Sequence, residues 1–581
     1  MIAIGRTQGV FWNPLAPYEI GKLGWVVILL GLMHPLHGQI AFADLAAQAG
    51  VDEWGSNYGV SAIDYDGDGW EDVYIACRQH PNRLYRNLGN GQYENVAPQL
   101  GLDLDLDTRS AIWGDINNDG LPDLFVGTQQ QGDHLFLQTP THTFEDISAQ
   151  AGMSERAGPT LGACLGDLDQ DGWLDIYCAR HLTENTFYRN RGDLTFEDVA
   201  TQAGATDTGP AMGAILFDYD NDRDLDLYLV HDGRVPNILY QNDGTGQFQD
   251  VSQAAGADYA GFGMGVDVAD VDHDGWLDIY ITNLLENTLL INRGNGRFVN
   301  ATQSTGVGDL GMGWGTVFFD ADNDGWTDIY VCNSSVVNQA FANLPNVLYR
   351  NLGNYSFQRI SDDGPLASLG DGYGVTTTDF NRDGLLDVFV ANNLGPLGNE
   401  LFENQTPSNH HWLKVKLLGR QSNRLAIGAR VRVKVNGFWQ TDEVIAGSSW
   451  ASQQSLELHF GLGEAQRVDS LVVLWPSGQT DYWTGLSVDQ SHQLEEKPIS
   501  GAEGDWIIYP NPLDLHHLLT LTPTDADSKV QIFDVQGKQY LPQRVEFDSL
   551  LERTTLDLGN IPPGIYVLKL GERATKLILW E

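Results

Sequence analysis

Apolar residues in this chain fall into short runs broken at regular intervals by glycine, asparagine and aspartate. That is the punctuation of strands and turns, not of helices. Between residues 263 and 303 the runs read GMGVDVAD, LDIYITN, NTLLINRG and GRFVNATQ. Each is long enough for one strand, and the breaks suit tight antiparallel connections. The same quartet recurs upstream and downstream, with an acidic stretch between its first two runs each time.

The acidic stretches are DYDGDGWED (64–72), DINNDGLPD (115–123), DLDQDGWLD (167–175), DYDNDRDLD (218–226), DVDHDGWLD (270–278), DADNDGWTD (320–328) and DFNRDGLLD (379–387). Their first aspartates lie 50 to 59 residues apart. A four-stranded unit repeated at that interval is the signature of a propeller blade, and seven units make a closed ring. The seventh unit lacks the closing strand that elsewhere reads TFEDISAQAGM or TFEDVATQAGA, whereas AFADLAAQAGV (41–51) carries it at the other end of the chain. The N-terminal strand is therefore predicted to complete the last blade and remove an exposed edge.

In DYDGDGWED the oxygens of Asp64, Asp66, Asp68 and Asp72 and the carbonyl of Trp70 stand at positions 1, 3, 5, 9 and 7. Hard oxygen ligands at that spacing wrap a calcium ion, with Gly69 making the turn. An EF-hand would need a bidentate Glu at position 12, where this chain has Ile75, so the loop joins two strands. The second loop offers Asp115, Asn117, Asp119, Leu121 and Asp123, and the third Asp167, Asp169, Asp171, Trp173 and Asp175. The fourth offers Asp218, Asp220, Asp222, Asp224 and Asp226, with Arg223 where glycine belongs, a strained turn that puts its occupancy in doubt. The fifth has Asp270, Asp272, Asp274, Trp276 and Asp278, the sixth Asp320, Asp322, Asp324, Trp326 and Asp328, and the seventh Asp379, Asn381, Asp383, Leu385 and Asp387. Up to seven calcium ions are thus expected, one per blade, with weaker binding at the two asparagine-bearing loops. Their role is read as structural. Metal at ten times its dissociation constant adds about 1.4 kcal/mol per site, so seven sites add roughly 10 kcal/mol, comparable with a domain's whole stability.

Composition narrows the partners. Asp and Glu number 78 against 33 Lys and Arg, a formal net charge of −45, which argues against nucleic acid. Cys77, Cys164, Cys178 and Cys332 fit no zinc spacing and read as buried thiols, with Cys164–Cys178 the one pair placed to form a disulfide across a hairpin. No G-x-S-x-G, H-E-x-x-H or phosphate-binding loop is present, and the obvious acid–base carboxylates are already assigned to metal.

The repeated G-x-G-V strands followed by D-x-D-x-D-G-x-x-D resemble the FG-GAP or VCBS repeats of integrin-α-type propellers over roughly residues 40 to 408. The following segment, with IGARVRV, GSSWASQQ, HFGLG and VLWPSGQT, resembles the ASPIC/UnbV domain that follows such propellers in the cartilage acidic protein family. The final segment, with YPNP (509–512), VQIFDVQGKQ (530–539) and LDLGNIPPGIYVLKL (556–570), resembles a type A sorting domain of the type IX secretion system. That resemblance implies an exported or outer-membrane-surface protein of a Bacteroidetes-type Gram-negative cell, with the type IX machinery as a partner. The apolar stretch GWVVILLGLM (24–33) has the length of a signal-peptide core and is short for a membrane span, so no transmembrane span is expected in the mature protein. The expected fold is all-β: signal peptide 1–38, a seven-bladed integrin-α-like propeller 39–408, an ASPIC/UnbV domain 409–497, a linker 498–506 and a sorting domain 507–581, the last two domains small and β-sandwich-like.

Strand order places the metal loops on one face of the ring and the second-to-third and blade-to-blade loops on the other. On that second face the inner strands begin with Tyr58, Arg109, Leu161, Met212, Met264, Trp314 and Tyr373, of which Tyr58, Arg109, Trp314 and Tyr373 are candidates to line a ligand mouth. The alternative is that they pack between blades. The long connection NSSVVNQAFANLP (333–345) is a further recognition candidate. Arg430, Arg432 and Lys434 form a basic stripe that either salt-bridges to the propeller or binds a polyanion. The functional expectation is a calcium-stabilised extracellular binding or adhesion protein for a glycan or protein. The alternative is a propeller enzyme, a polysaccharide lyase or hydrolase, with His181, His231, Arg180 and Arg234 as a basic site for an acidic sugar.

Overall fold

The computed structural model describes residues 40–153, 158–334, 344–360 and 364–498, together with the strands that lie between 507 and 579. The apolar stretch 24–33 lies outside the described residues. Among the described residues, no helix is long and apolar enough to cross a membrane.

The repeated quartets form seven four-stranded antiparallel sheets, each ordered first to fourth from the inside outward. In the third blade these strands are Thr160–Gly166, Asp175–Arg180, Thr186–Asn190 and Phe196–Asp198. The two inner strands are buried on both faces, which is why they read as unbroken apolar runs; the fourth is mostly half-exposed. Side chains of one blade pack on the next, as Cys164, Tyr177 and Phe187 do on Leu216, Leu227 and Leu229. A tyrosine in the second strand keeps its polar tip satisfied by donating to the chain entering the following blade. Tyr74, Tyr177, Tyr228, Tyr280 and Tyr330 donate to the carbonyls of Leu102, Ala205, Ala257, Val307 and Leu366 at 2.7–3.0 Å. In the last blade Phe42–Asp44 pairs antiparallel with Glu400–Asn404, so the N-terminal strand supplies its outer edge.

The expected fourth strand is shorter than its apolar run. In FEDISAQAG only Phe144–Asp146 is extended, and Ser148–Ala151 makes one helical turn. The Asp146 carboxylate accepts the Ser148 amide at 2.9 Å, and Gly152 ends the turn at φ 79°. The local bond from the aspartate to the first amide of the turn thus competes with continuation of the strand. The Cys164–Cys178 disulfide is not formed: both cysteines are buried and not bridged to one another. Cys178 pairs in register with Ala163, one residue from Cys164, so the two sulfurs point to opposite faces of the blade.

Residues 411–495 form a three-stranded sheet, in which His411–Leu418 runs between Leu458–Gly463 and a parallel Gln490–Glu495, and a four-stranded sheet built around Arg430–Val435 and Ser470–Leu474. Their core is continuous with that of the second and third blades. Two further four-stranded sheets are formed by strands between 507 and 579.

The segment 446–453 leaves the second domain and runs down the propeller axis. Leu165 donates to the Ala446 carbonyl, Val266 and Ser449 exchange two backbone hydrogen bonds, and Gln453 bridges Val60 and Ala62. The first strands would otherwise present unpaired backbone groups to the axis, and this segment satisfies some of them in the first, third and fifth blades. Crowding at the axial glycines is correspondingly tight: a Cβ on Gly59 would stand 2.1 Å from the Ala451 carbonyl oxygen. At the end of the segment Trp450, 1% exposed, packs against Tyr58, Trp314 and Tyr373 with ring centroids 4.7–5.5 Å away. Truncating so large a buried ring costs about 3–5 kcal/mol. Trp450→Ala is therefore expected to lower the melting temperature by several degrees in calorimetry; an unchanged transition would show that the axis does not depend on this plug.

Candidate metal centres

Each acidic loop is shaped by its own backbone. In the first blade Gly69 donates to Asp64 Oδ2 at 3.2 Å and Trp70 to Asp68 Oδ1 at 2.9 Å. Position 6 is left-handed in every loop, from φ 86° at Gly69 to 92° at Gly325 and 79° at Arg223, so the strain expected at the fourth loop is present. That arginine has a role elsewhere: its guanidinium donates to the Gly478 carbonyl and to Thr480 Oγ1 of the second domain.

The ninth-position aspartate is the deepest. Asp72 Oδ2 accepts the Tyr65 amide within its loop, and its Oδ1 accepts the amide of Asn87 at the end of the third strand. The side chain of Asn87 then donates to the Phe380 carbonyl of the neighbouring blade. The same latch recurs around the whole ring. Gln138, Asn190, Asn242, Asn292, Asn351 and Asn404 bind Asp123, Asp175, Asp226, Asp278, Asp328 and Asp387 through their amides. Their side chains reach Tyr65, Ile116, Leu168, Tyr219, Val271 and Ala321 at 2.8–2.9 Å. These residues were not among the sequence candidates; their signal is the recurrent polar residue, usually the Asn of an RN or QN pair, just before the glycine turn.

Five loops bring three carboxylates together with ligand oxygens within 4.8 Å of one another: Asp64, Asp66 and Asp72; Asp167, Asp169 and Asp171; Asp218, Asp220 and Asp226; Asp270, Asp272 and Asp274; Asp320, Asp322 and Asp324. The fourth loop is among them despite Arg223. The two asparagine-bearing loops are not, among the described residues, so the count of three-carboxylate clusters is five and not seven. In the five clusters Asp64 Oδ1, Asp169 Oδ1, Asp220 Oδ1, Asp272 Oδ2 and Asp322 Oδ1 are buried without a hydrogen-bond donor, and so is Asp224 Oδ1 beside the fourth. A buried carboxylate oxygen left so is costly, and converging ones fit a hard cation such as calcium.

The second domain covers this face. Arg430 is buried between Asp218 and Glu443, with contacts of 3.8 and 2.8 Å, and Lys416 Nζ stands 3.5 Å from Asp64 Oδ2. Arg424 donates its amide to Asn118, and His459 Nε2 lies 2.7 Å from Asn323 Oδ1. The stripe begun by Arg430 thus meets the propeller's acids and is not an open polyanion site.

On the opposite face Tyr58, Trp314 and Tyr373 converge with Leu161, Met212 and Met264, but around Trp450, and so pack instead of lining an open mouth. Arg109 lies 4.2 Å above the Tyr58 ring and pairs with Asp107 at 3.0 Å. The four basic residues considered for an acidic sugar do not form one site. Arg180 is buried in a pair with Asp133, and His231 is buried between Asp207 and the Pro236 carbonyl. His181 bridges to Pro210, and Arg234 lies over the Phe262 ring. Residues 335–343 of the long connection lie outside the described residues.

Burial, then neighbouring carboxylates, push Asp270 up to about 8; burial likewise holds Asp72 at about 9 and Asp123 at about 8. An unfolded carboxyl titrates near 4, so between those values the metal-free fold binds more protons than the unfolded chain and loses stability as pH rises. Calcium binds the ionised form, so its contribution grows over the same interval. In excess chelator the melting temperature is expected to be lower at pH 8 than at pH 5.5. With millimolar calcium the order reverses, and at pH 8 chelation lowers the transition by more than about 10 °C. Superimposable melting curves with and without chelator would contradict the metal assignment.

Comparison with known families follows the same division of the chain. An FG-GAP-like repeat model matches residues 64–126, 115–178, 167–229, 218–281 and 282–331; an ASPIC and UnbV model matches 419–500; a secretion system C-terminal sorting domain model matches 507–579. Cartilage acidic protein 1 of Mus musculus is 28% identical over 206 residues, covering 33% of this chain and 32% of that protein, and its Xenopus tropicalis counterpart is 26% identical over 250 residues, covering 39% and 38%. The chain thus spans about a third of these relatives' length. Among solved structures, an Agrocybe aegerita lectin aligns with a TM-score of 0.38 at 18% identity, covering 60% of this chain and 94% of that one. The sorting domain marks the chain as a substrate of type IX secretion, the route of surface and secreted proteins in Bacteroidetes-type cells. The chain is an FG-GAP-repeat protein with an ASPIC/UnbV domain and a type IX secretion sorting domain, similar to the cartilage acidic proteins.

Proposed function

We propose that this is an exported binding protein whose propeller is held by calcium on one face and recognises an extracellular glycan or protein with the rim of the other. Calcium occupies the five three-carboxylate clusters through the oxygens at positions 1, 3, 5, 7 and 9, and binds more weakly at Asp115, Asn117, Asp119, Leu121 and Asp123.

The observation that carries the reading is the distribution of exposed apolar side chains. The metal face is largely covered by the second domain and exposes Leu88, Leu352 and Tyr355 by 40–47% at its outer turns, whereas the loop tips of the opposite rim expose Trp54 by 59%, Leu182 by 64% and Leu310 by 61%, with Leu285, Leu369 and Leu394 beside them in the same set of loops. Leu182, Leu285 and Leu394 are also left-handed, at φ 57°, 81° and 48°. An exposed leucine in that conformation costs stability twice, through its backbone and through its hydration, and such costs gather where a surface is used. Trp54 is held in place by donating to the Gly395 carbonyl at 2.8 Å, which fixes an indole beside Leu394.

The test is a panel of polysaccharides and extracellular proteins arrayed against the full chain in millimolar calcium. Trp54→Ser and Leu394→Ser are expected to weaken each positive signal at least tenfold while leaving the melting temperature within about 2 °C. Binding that survives both substitutions and is lost in Lys416→Ala would place recognition on the metal face and contradict the proposal.

A further inference from the structure

The last acidic loop differs from the five clusters in more than its asparagine. Asp379 Oδ1 accepts the Asp383 amide and Oδ2 the Gly384 amide, both at 3.0 Å. Asp387 gives its two oxygens to the amides of Phe380 and Asn404. The side-chain amide of Asn381 donates to Asp383 Oδ2 at 3.1 Å and to Glu403 Oε1 at 3.2 Å, and its Oδ1 accepts the Asp383 amide at 3.0 Å, so the residue at position 3 is engaged on both sides. No carboxylate oxygen of residues 379–387 is left buried without a partner, in contrast to the five clusters. A cation is nevertheless present: Lys414 of the second domain, 8% exposed, bonds Asp379 Oδ2 with its ammonium.

We propose that the Lys414 ammonium fills the cation position of the seventh loop, so that this blade is pinned by the second domain and excludes calcium. The inference rests on reading the other loops as calcium sites. Lys416, two residues along the same strand, is the internal comparison. Its side chain is 44% exposed, it stands 3.5 Å from Asp64 Oδ2, and it leaves Asp64 Oδ1 unpartnered within a three-carboxylate cluster. Lys416 therefore flanks a metal position, whereas Lys414 occupies one. Lys414 is flanked by Trp412: its ammonium lies 5.5 Å from the ring centroid, and that indole is packed against Gly384, where a Cβ would meet it at 1.9 Å. A buried ammonium and a divalent ion on the same carboxylate would repel at short range with little water to screen them. The second loop, the other one with asparagine at position 3, has no lysine. There the nearby Arg424 side chain donates to the Gly419 carbonyl, so no ammonium stands on its carboxylates, although like the seventh loop it keeps no buried unpartnered carboxylate oxygen.

The test is a count of bound calcium per chain, by elemental analysis of the full protein after dialysis against micromolar calcium. Asp64→Asn is expected to lower the count by one. Asp379→Asn is expected to leave the count unchanged while lowering the melting temperature, because it removes the partner of a buried lysine. Lys414→Met combined with Asn381→Asp restores a ligand and removes the competing charge, and is expected to gain one calcium. A loss of one calcium in Asp379→Asn, or no gain in a folded Lys414→Met/Asn381→Asp variant, would overturn the proposal. A wild-type chain that binds no calcium, with Asp64→Asn indistinguishable from it, would instead overturn the calcium reading on which it rests.

Discussion

The structure depends on seven buried aspartates that each accept two backbone amides. One amide comes from the acidic loop itself and the other from the end of the third strand, so the carboxylate ties the inner hairpin of a blade to its outer hairpin. The residue that donates the second amide spends its side chain on the carbonyl of the preceding blade, and in the first blade Asn87 closes the circle onto Phe380. A distortion in any one loop is therefore felt by its neighbour. Packing between blades supplies most of the free energy of the ring, but the latches set its register, because a hydrogen bond tolerates less misplacement than an apolar contact.

Such a design concentrates negative charge. Carboxylates held a few ångströms apart and away from water disfavour ionisation, and the raised titration of Asp72, Asp123 and Asp270 expresses that cost. Cations offset it in two chemical forms. Metal suits the clusters that keep unpartnered oxygens, and basic side chains of the second domain reach Asp64, Asp218 and Asp379. The second domain also sends residues 446–453 along the axis, where they satisfy part of the inner edges of the first strands. With one face covered and the axis filled, the proposed recognition falls to the loops of the opposite rim.

Much of this was legible in the sequence because it is local. Strand number, blade period, the closing strand at Phe42–Asp44 and the oxygen spacing of DYDGDGWED all depend on residues a few positions apart. The strain at Arg223 was equally visible, since a missing glycine announces itself. What escaped was non-local or turned on single-residue register. Trp450 meets Tyr58, Trp314 and Tyr373 across long stretches of chain, so those aromatic residues looked like the lining of a mouth. Cys164 and Cys178 flank their loop evenly, yet an offset of one residue sends them to opposite faces. The latch asparagines were hidden in plain view, because an asparagine before a glycine turn is ordinary turn chemistry until its side chain is seen to cross to another blade.

The most direct measurement is hydrogen exchange, by mass spectrometry or NMR, at the amides of Asn87, Gln138, Asn190, Asn242, Asn292, Asn351 and Asn404, with calcium and after its removal. If cations hold the ring through the latches, protection at these amides falls on chelation in the blades with three-carboxylate clusters, and extends to their neighbours. Loss of protection confined to the acidic loops, with every latch amide as slow as before, would contradict that account.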